Sequence, residues 1–254
     1  MGAKFILGAC LWIFSLVFAE STAFANGIKP QSYGIVLFRA FDTLDVYAPI
    51  EVLQMVSNMH KIDIFLISET NDPVTTAPMS AMMNPYNSSV WYTLPTAHTF
   101  ETAPKEFDVL IVPGGPGIRS PYLNSTLKYI RETTPNAKHV ITICTGAGLA
   151  ARAGILNGKK ATTNKTSWPN IIPFGPNTTW IPHARWVIDE SGTPPIWSSS
   201  GVTAGLDLML SFVETYYGKE NATFIAKLME YERHTDPSWD PFARNETTAT
   251  AGSR

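Results

Sequence analysis

Continuous apolar stretches alternate along the chain with stretches in which apolar residues recur every three or four positions. The continuous stretches predict buried strands, because strands covered on both faces of a parallel sheet meet no water on either side. A mostly parallel sheet is therefore expected. These stretches are "YGIVLF" (33–38), "KIDIFLISE" (61–69), "FDVLIVPGG" (107–115), "HVITI" (139–143) and "PIWSSSG" (195–201).

The periodic stretches predict helices between or after those strands. Pro49 is expected in the first turn of its helix, where a missing N–H costs nothing, and Gly218 is expected to cap a helix end. Strands that alternate with helices predict an α/β fold, a flavodoxin-like three-layer sandwich with helices on both faces of the sheet. The helical stretches are 49–56, 120–134, a small-residue segment after Cys144, 202–218 and 221–232.

Two segments follow neither pattern. Residues 70–100 are rich in Pro, Thr, Asn and Met without a strong period and predict an irregular excursion or a hairpin. Residues 170–192 predict short strands with turns, a small antiparallel addition to the sheet. We expect one domain over residues 30–243, followed by a disordered polar tail over 244–254.

The N-terminus has the features of a secretory signal peptide. Lys4 precedes the apolar run "FILGACLWIFSLVF", and Ala23-Phe24-Ala25 is a small-x-small cleavage pattern. An uncleaved membrane anchor is the alternative, but the run of 14 residues is shorter than the roughly 20 residues of a spanning helix. We therefore predict a signal peptide over 1–25, a protein in the secretory lumen or outside the cell, and no membrane association after cleavage.

The charge and the sequons of the chain indicate which kinds of partner and location to expect. The formal net charge is −2 and 16% of residues are charged, so no basic surface for nucleic acid is expected. Six N-x-[ST] sequons agree with secretion and predict surface asparagines that carry glycans. They are Asn87, Asn124, Asn164, Asn177, Asn221 and Asn245.

Cys144 is the single thiol that remains once Cys10 is removed with the signal peptide, so no internal disulfide is possible. A lone cysteine is either an inert small hydrophobe or a reactive group. The setting "VITICTGAGLAA" favours reactivity, because a strand that turns abruptly into a small-residue helix resembles a nucleophile elbow. Gly146 fits that motif, whereas Thr142 stands where the motif has glycine. The helix N-terminus would favour the thiolate.

Two further features follow predicted strands and therefore lie at the same edge of the sheet as Cys144. Gly114 and Gly115 could, with the N–H of Thr145, form an anion-stabilising hole, or simply a tight turn that needs positive φ. Asp45 could be an N-cap, which would lower its pKa, or a buried proton donor with a raised pKa. The local sequence leaves both pairs of alternatives open.

Histidines give no support for a metal site, because their spacing matches no ligand pattern. His183 lies on a predicted strand and is expected to be structural. No cofactor is expected, and the partner is a small-molecule substrate. The remaining histidines are His60, His98, His139 and His234.

At "VLIVPGG…VITICTGAGLAARAGILNGKKATTN…SSGVTAGLDLML" the sequence resembles the ThiJ/PfpI-like superfamily, with its class I amidotransferase-like fold. The resemblance covers about residues 33–242 and is greatest to the isonitrile hydratase branch. Three motifs carry it: D-x-x-x-P-x-x-V-L from Asp45 to Leu53, C-T-G from Cys144 to Gly146, and G-[IV]-T-A-G-[IL]-D from Gly201 to Asp207.

The resemblance implies a homodimer and a reaction in which the cysteine thiolate attacks the terminal carbon of an isonitrile. Hydrolysis of the resulting thioimidate gives an N-substituted formamide. Carried over residue by residue, Cys144 is the nucleophile, Asp45 the acid/base and Thr145 a hydrogen-bonding neighbour, with Gly114, Gly115 and Gly146 on the substrate or oxyanion side.

Two positions bear on the choice among branches. Thr145 stands where glyoxalase-like and peptidase-like members have histidine, which makes those activities less expected. Asn164 in "ATTN" stands where the family commonly has histidine, and it also heads a sequon, so a glycan there conflicts with a place in the pocket. A non-catalytic thiol or ligand-binding module, and glyoxalase or deglycase chemistry, remain the alternatives to the hydratase.

Overall fold

The computed structural model describes residues 29–243. The predicted signal peptide over 1–25, the predicted tail over 244–254 and the sequon at Asn245 lie outside the described residues.

A seven-stranded sheet forms the centre of the fold, in the order β10-β11-β7-β6-β1-β2-β5. Neighbouring strands are parallel except β10 and β11, which are antiparallel. The predicted mostly parallel sheet is confirmed. The strands of the described residues are β1 Ser32–Val36, β2 Asp63–Ser68, β3 Val74–Thr75, β4 Thr93–Leu94, β5 His98–Thr99, β6 Phe107–Val112, β7 Ala137–Thr142, β8 Lys160–Ala161, β9 Thr179–Trp180, β10 Trp186–Asp189 and β11 Ile196–Ser199.

Six α-helices surround this sheet within residues 29–243. Helix α1 packs against α5 and α6, and α2 packs against α3. Gly218, with φ of 99°, lies at the end of α5 as expected for a helix-terminating glycine. The helices are α1 Thr43–Ser57, α2 Asn124–Thr133, α3 Gly146–Arg152, α4 Trp168–Ile171, α5 Val202–Tyr217 and α6 Lys219–Leu228.

Helix α1 begins at Thr43, before the expected start at Pro49. Its N-cap is Asp42, whose side chain accepts a hydrogen bond from the Leu44 N–H at 3.1 Å. Pro49 therefore lies inside the helix rather than in its first turn, and it lacks the N–H that would bond the Asp45 carbonyl. The prediction for Pro49 was wrong because residues 43–48, "TLDVYA", which were not included in the predicted helix, are already helical.

The two irregular segments add small elements to the sheet. In the first, β3 and β4 form an antiparallel pair and β5 joins the edge of the main sheet beside β2. In the second, β10 adds the expected antiparallel strand to β11, whereas β9 pairs in parallel with β8. The antiparallel addition is therefore confirmed for β10, and the rest of that segment is a short helix and a separate two-stranded sheet.

The register of the central strands sets the position of the site. Val112 of β6 lies opposite Thr142 of β7, and Ile35 of β1 lies opposite Ile111 of β6. The carboxyl ends of β1, β6 and β7 therefore meet at one edge, which brings together the segments that follow them. Within residues 29–243, every helix is too short or too polar to cross a bilayer.

Candidate active site

Cys144 occupies a sharp corner between β7 and α3. Its φ is 57°, in the left-handed region that a non-glycine residue enters at a cost of about 1–2 kcal/mol. The corner is held on both sides, because Ile143 N–H donates to Val112 O at 3.0 Å and Gly146 N–H donates to Ile143 O at 2.9 Å. Surrounding structure that imposes a strained backbone is common at functional sites, and this geometry is that of the predicted elbow.

Gly146 is required by close packing at this corner. A Cβ on Gly146 would lie 2.2 Å from Val112 O, which no side chain tolerates. The start of α3 therefore rests directly on the end of β6. This close approach explains the small residues after Cys144 in the sequence.

Asp45 lies in the first turn of α1 and is completely buried. Its Oδ2 accepts a hydrogen bond from Gly114 N–H at 3.0 Å, and its carboxyl group also interacts with the Cys144 side chain. Its Oδ1 has no hydrogen-bond partner of regular geometry among the described residues. The N-cap role belongs to Asp42, so the structure favours the buried-carboxyl alternative for Asp45.

The pKa of Asp45 is raised to about 8, first by burial and then by the nearby Asp42, against the lowering effect of the Gly114 N–H and the Cys144 side chain. Burial also raises the pKa of the Cys144 thiol, followed by the charge of Asp45. The expected thiolate stabilised by the helix is thus corrected. Cys144 is only 5% exposed, and desolvation beside a carboxyl group outweighs a helix of seven residues.

Two donors oppose this effect at the sulfur. The backbone N–H of Thr145 and the side chain of Asn164 each hydrogen bond Cys144 and lower the pKa of its thiol. The main chain of Cys144 is held as well, because Thr163 Oγ1 donates to Cys144 O at 2.8 Å. The Cys144 side chain is therefore surrounded by the Asp45 carboxyl group and by two neutral donors.

Gly114 and Gly115 contact these groups, and both of their N–H groups, which could have formed an anion hole, have partners within the protein. Gly114 N–H donates to Asp45, and Gly115 N–H donates to Thr145 Oγ1 at 2.9 Å. The Gly146 N–H is also used, in its bond to Ile143 O. The three glycine N–H groups are thus occupied within the protein, and they hold Asp45 and Thr145 in place. A Cβ on Gly114 would lie 2.6 Å from Thr145 N and 2.7 Å from Asp45 Oδ2.

Asn164 follows β8, and its side chain hydrogen bonds the Cys144 side chain. Its Oδ1 accepts a hydrogen bond from Ser167 N–H at 2.8 Å, which leaves the Nδ2 end of the amide for Cys144. Asn164 also lines a cavity of about 200 Å³ at the start of α5. A larger cavity of about 860 Å³ lies beside β2 and the 70–83 segment, and none of the predicted site residues lines it.

Three charged residues that line the smaller cavity, Lys165, Arg185 and Asp240, were not predicted from the sequence, nor was the pairing of Arg185 with Asp207. Lys165 is buried, and desolvation lowers its pKa to about 8. Arg185 forms a buried ion pair with Asp207 at 2.6 Å, and the carboxyl group of Asp240 is also buried. These residues come from segments distant in the chain. Only Asp207 belongs to a motif noted in the sequence, the one that runs from Gly201 to Asp207.

The sequons differ in how the structure presents them. Three asparagines are exposed: Asn87, Asn124 and Asn177. Asn221 is partly buried in α6, where its Nδ2 donates to Tyr217 O at 2.7 Å. The Asn164 side chain is used within the site, as described above.

A cysteine at a strained strand–helix corner, with a buried carboxyl group beside it at the edge of a parallel sheet, defines an α/β protein with a nucleophile-elbow cysteine. The chain matches the DJ-1/PfpI family over residues 32–215, and it belongs to this family.

Sequence relatives within the family differ in activity. An isonitrile hydratase of Pseudomonas putida is 29% identical over 200 residues, which cover 78% of this chain and 77% of the relative. A deglycase of Pyrococcus horikoshii is 32% identical over 117 residues, 45% of this chain and 66% of the relative. An HTH-type transcriptional regulator of Pseudomonas aeruginosa is 24% identical over 220 residues, 84% of this chain and 55% of the relative.

Solved structures show the same fold. A ThiJ/PfpI family protein from Pseudomonas syringae matches with a TM-score of 0.65 at 23% identity, over 85% of this chain and 81% of that protein. DJ-1beta of Drosophila melanogaster matches with a TM-score of 0.58 at 17% identity, over 80% of this chain and 99% of that protein.

Proposed function

We propose that the protein is a cysteine-dependent hydratase that adds water to a small isonitrile-like substrate and releases an N-substituted formamide. The observation that carries the proposal is the contact between the Cys144 thiol and the buried Asp45 carboxyl group, whose pKa of about 8 keeps a proton available at neutral pH. An isonitrile needs a nucleophile and a proton donor at one carbon, and this pair supplies both.

In the first step the Cys144 sulfur bonds to the terminal isonitrile carbon, and that carbon takes a proton from Asp45. The product of this step is a thioimidate on the sulfur. The thiol proton restores the protonation of Asp45, so the pair ends the step with one proton fewer. The Thr145 N–H and Asn164 stabilise the negative charge on sulfur before the attack.

In the second step Asp45 gives its proton to the imidate nitrogen, water adds to the thioimidate carbon, and Asp45 takes the proton that this water releases. The carbon–sulfur bond then breaks, the formamide leaves, and the sulfur regains its proton. In total the carbon has gained oxygen and one hydrogen, and the nitrogen has gained the other hydrogen of the water. Asp45 exchanges protons in both steps, and a pKa of about 8, close to neutral pH, suits a group that both donates and accepts a proton.

Deglycase or glyoxalase chemistry is the second candidate, because deglycases are among the relatives. Thr145 argues against it. The Thr145 hydroxyl is hydrogen bonded to Gly115 and cannot act as the base that a histidine would provide. Among the described residues, the groups that shift the pKa of Cys144 include no histidine.

A non-catalytic thiol or ligand-binding module is the third candidate. The low exposure of Cys144 and the raised pKa of its thiol favour it, since an inert cysteine is buried and protonated. It predicts no turnover at all.

Incubation of the purified protein with a series of alkyl isonitriles, followed by NMR detection of the formamide, separates these candidates. The hydratase gives formamide that is absent with Cys144→Ala. Turnover of methylglyoxal without formamide would support the second candidate. No turnover of isonitriles or aldehydes would support the third.

Secretion and dimerisation belong to the same proposal. The signal peptide over 1–25 and the exposed sequons at Asn87, Asn124 and Asn177 support passage through the secretory pathway. Expression in a eukaryotic cell should give glycosylated protein in the medium, lacking residues 1–25. Light scattering should give twice the mass of one chain if the protein is a homodimer.

A further inference from the structure

Asn164 stands at a position where both its backbone and its side chain are fixed relative to Cys144. The residue before it, Thr163, donates through its hydroxyl to Cys144 O, and Thr162 N–H donates to Ser198 Oγ of β11 at 3.0 Å. The segment is therefore tied at once to the elbow and to the sheet. Such a segment presents its next side chain in a defined direction.

The orientation of the amide follows from its second hydrogen bond. Asn164 Oδ1 accepts the Ser167 N–H, so the Nδ2 end is turned away from Ser167 and donates to the sulfur. Gly201 at the start of α5 leaves the room for this end, because a Cβ there would lie 3.2 Å from Asn164 Nδ2. A donor rather than an acceptor therefore faces Cys144.

We propose that Asn164 acts at the reacting sulfur as a fixed donor that does not titrate, and that its sequon carries no glycan in the folded protein. This role rests on the proposed function of Cys144 as a nucleophile. The amide Nδ2 is the atom to which an N-linked glycan is attached, and in this structure that atom lies close to Gly201 and is the donor of the Asn164 side chain to Cys144. The same atom cannot serve both purposes.

The chemical consequence concerns pH. An imidazole at this place would gain and lose a proton near neutrality, whereas a carboxamide donates at every working pH. The protonation of the site then depends on Asp45 and Cys144, with the Asp42 carboxylate as the other charge that acts on both. Because residue 164 is asparagine and not histidine, it donates a hydrogen bond to the sulfur without adding a third group that gains or loses a proton.

Alkylation of Cys144 by iodoacetamide tests the donor without any turnover assay. The rate is measured against pH from the mass of the Cys144 peptide. Asn164→Leu keeps the approximate size and removes the donor, so we expect the rate at pH 7 to fall about tenfold and the pH profile to move to higher pH. The alkylation rate of Asn164→Asp should fall at least as far, because a carboxylate repels the thiolate.

Two matched variants complete the test. Asn177→Asp introduces the same charge at an exposed sequon asparagine and should leave the alkylation profile unchanged. Thr166→Ala destroys the Asn164 sequon but keeps Asn164, and it should change neither the profile nor the mass of the secreted protein. Thermal unfolding of each variant shows whether it is folded.

Two results would overturn the proposal. One is an Asn164→Leu protein that unfolds like the wild type and alkylates within twofold of its rate. The other is a glycan on the Asn164 peptide of protein secreted by a eukaryotic cell. Because alkylation needs no isonitrile, a protein without hydratase activity can still show the role of Asn164, and an active hydratase can still lack it.

Discussion

The side chains of Asp45 of α1 and Cys144 after β7 contact each other in the interior, where Asp45 is fully buried and Cys144 is 5% exposed. Burial raises the pKa of both groups, and the charge of Asp45 raises that of the Cys144 thiol further, so both groups retain their protons to higher pH than they would in water. The proposed reaction delivers a proton to carbon, and a carboxyl group that stays protonated at neutral pH can supply it.

Replacement of Asp45 by Asn tests the proton transfer. We expect formamide production to fall by about 10²–10⁴-fold, the range for loss of a general acid–base group. Asp63→Asn is the matched control, since Asp63 is exposed and pairs only with Lys61. Loss of activity in both variants would point to a general effect of charge rather than to Asp45.

Stability should respond to pH through the same carboxyl group. Because the pKa of Asp45 rises from 3.8 to about 8 on folding, the folded protein holds one proton more than the unfolded chain between these values. Its stability therefore falls as pH rises through that window, by up to about 1.4 kcal/mol per pH unit.

Asparagine at position 45 cannot ionise. The stability of Asp45→Asn relative to the wild type should therefore increase by up to about 1.4 kcal/mol per pH unit between about pH 4 and pH 8. Urea unfolding across that range measures the difference between the two proteins, in which the contributions of all other groups cancel. A difference that does not change with pH would mean that Asp45 is not protonated in the folded state.

The corner at Cys144 predicts an unusual order of stabilities. Glycine adopts φ of 57° without strain, so Cys144→Gly should be more stable than Cys144→Ala by about 1 kcal/mol. At Ala150 within α3, where the backbone is helical, glycine should be less stable than alanine by a similar amount. Chemical denaturation of the four proteins would show the reversal, and the same order at both positions would argue against the strained corner.

Gly114 should tolerate no side chain. Gly114→Ala places a Cβ against Thr145 and Asp45 at less than 3 Å, so both should move and the formamide-forming activity should be lost. Gly158→Ala is the control, because Gly158 has φ of 73° and open space around it, and it should cost only about 1 kcal/mol. Equal stability and activity in the two variants would contradict the packing described here.

The buried ion pair between Arg185 and Asp207 should stabilise the C-terminal segment. Asp207 also accepts hydrogen bonds from Tyr231 OH and His234 N–H, each at 3.0 Å. Asp207→Ala leaves Arg185 unpaired and should destabilise the protein by about 3–5 kcal/mol. Glu214→Ala breaks a more exposed pair with Arg233 and should cost about 1 kcal/mol or less. The denaturation midpoints of the two variants show whether loss of the buried pair destabilises the protein more than loss of the exposed pair.

The sequence by itself determined the α/β order, the strand–helix corner at Cys144 and the three segments that meet at it, because apolar period and small residues are local signals. The tertiary structure alone decided which N–H groups are free, that Asp42 rather than Asp45 caps α1, and that the pKa of the Cys144 thiol is raised. Burial and hydrogen bonding depend on contacts such as that between Asp45 and Gly114, 69 residues apart. No local pattern contains the desolvation that such contacts produce.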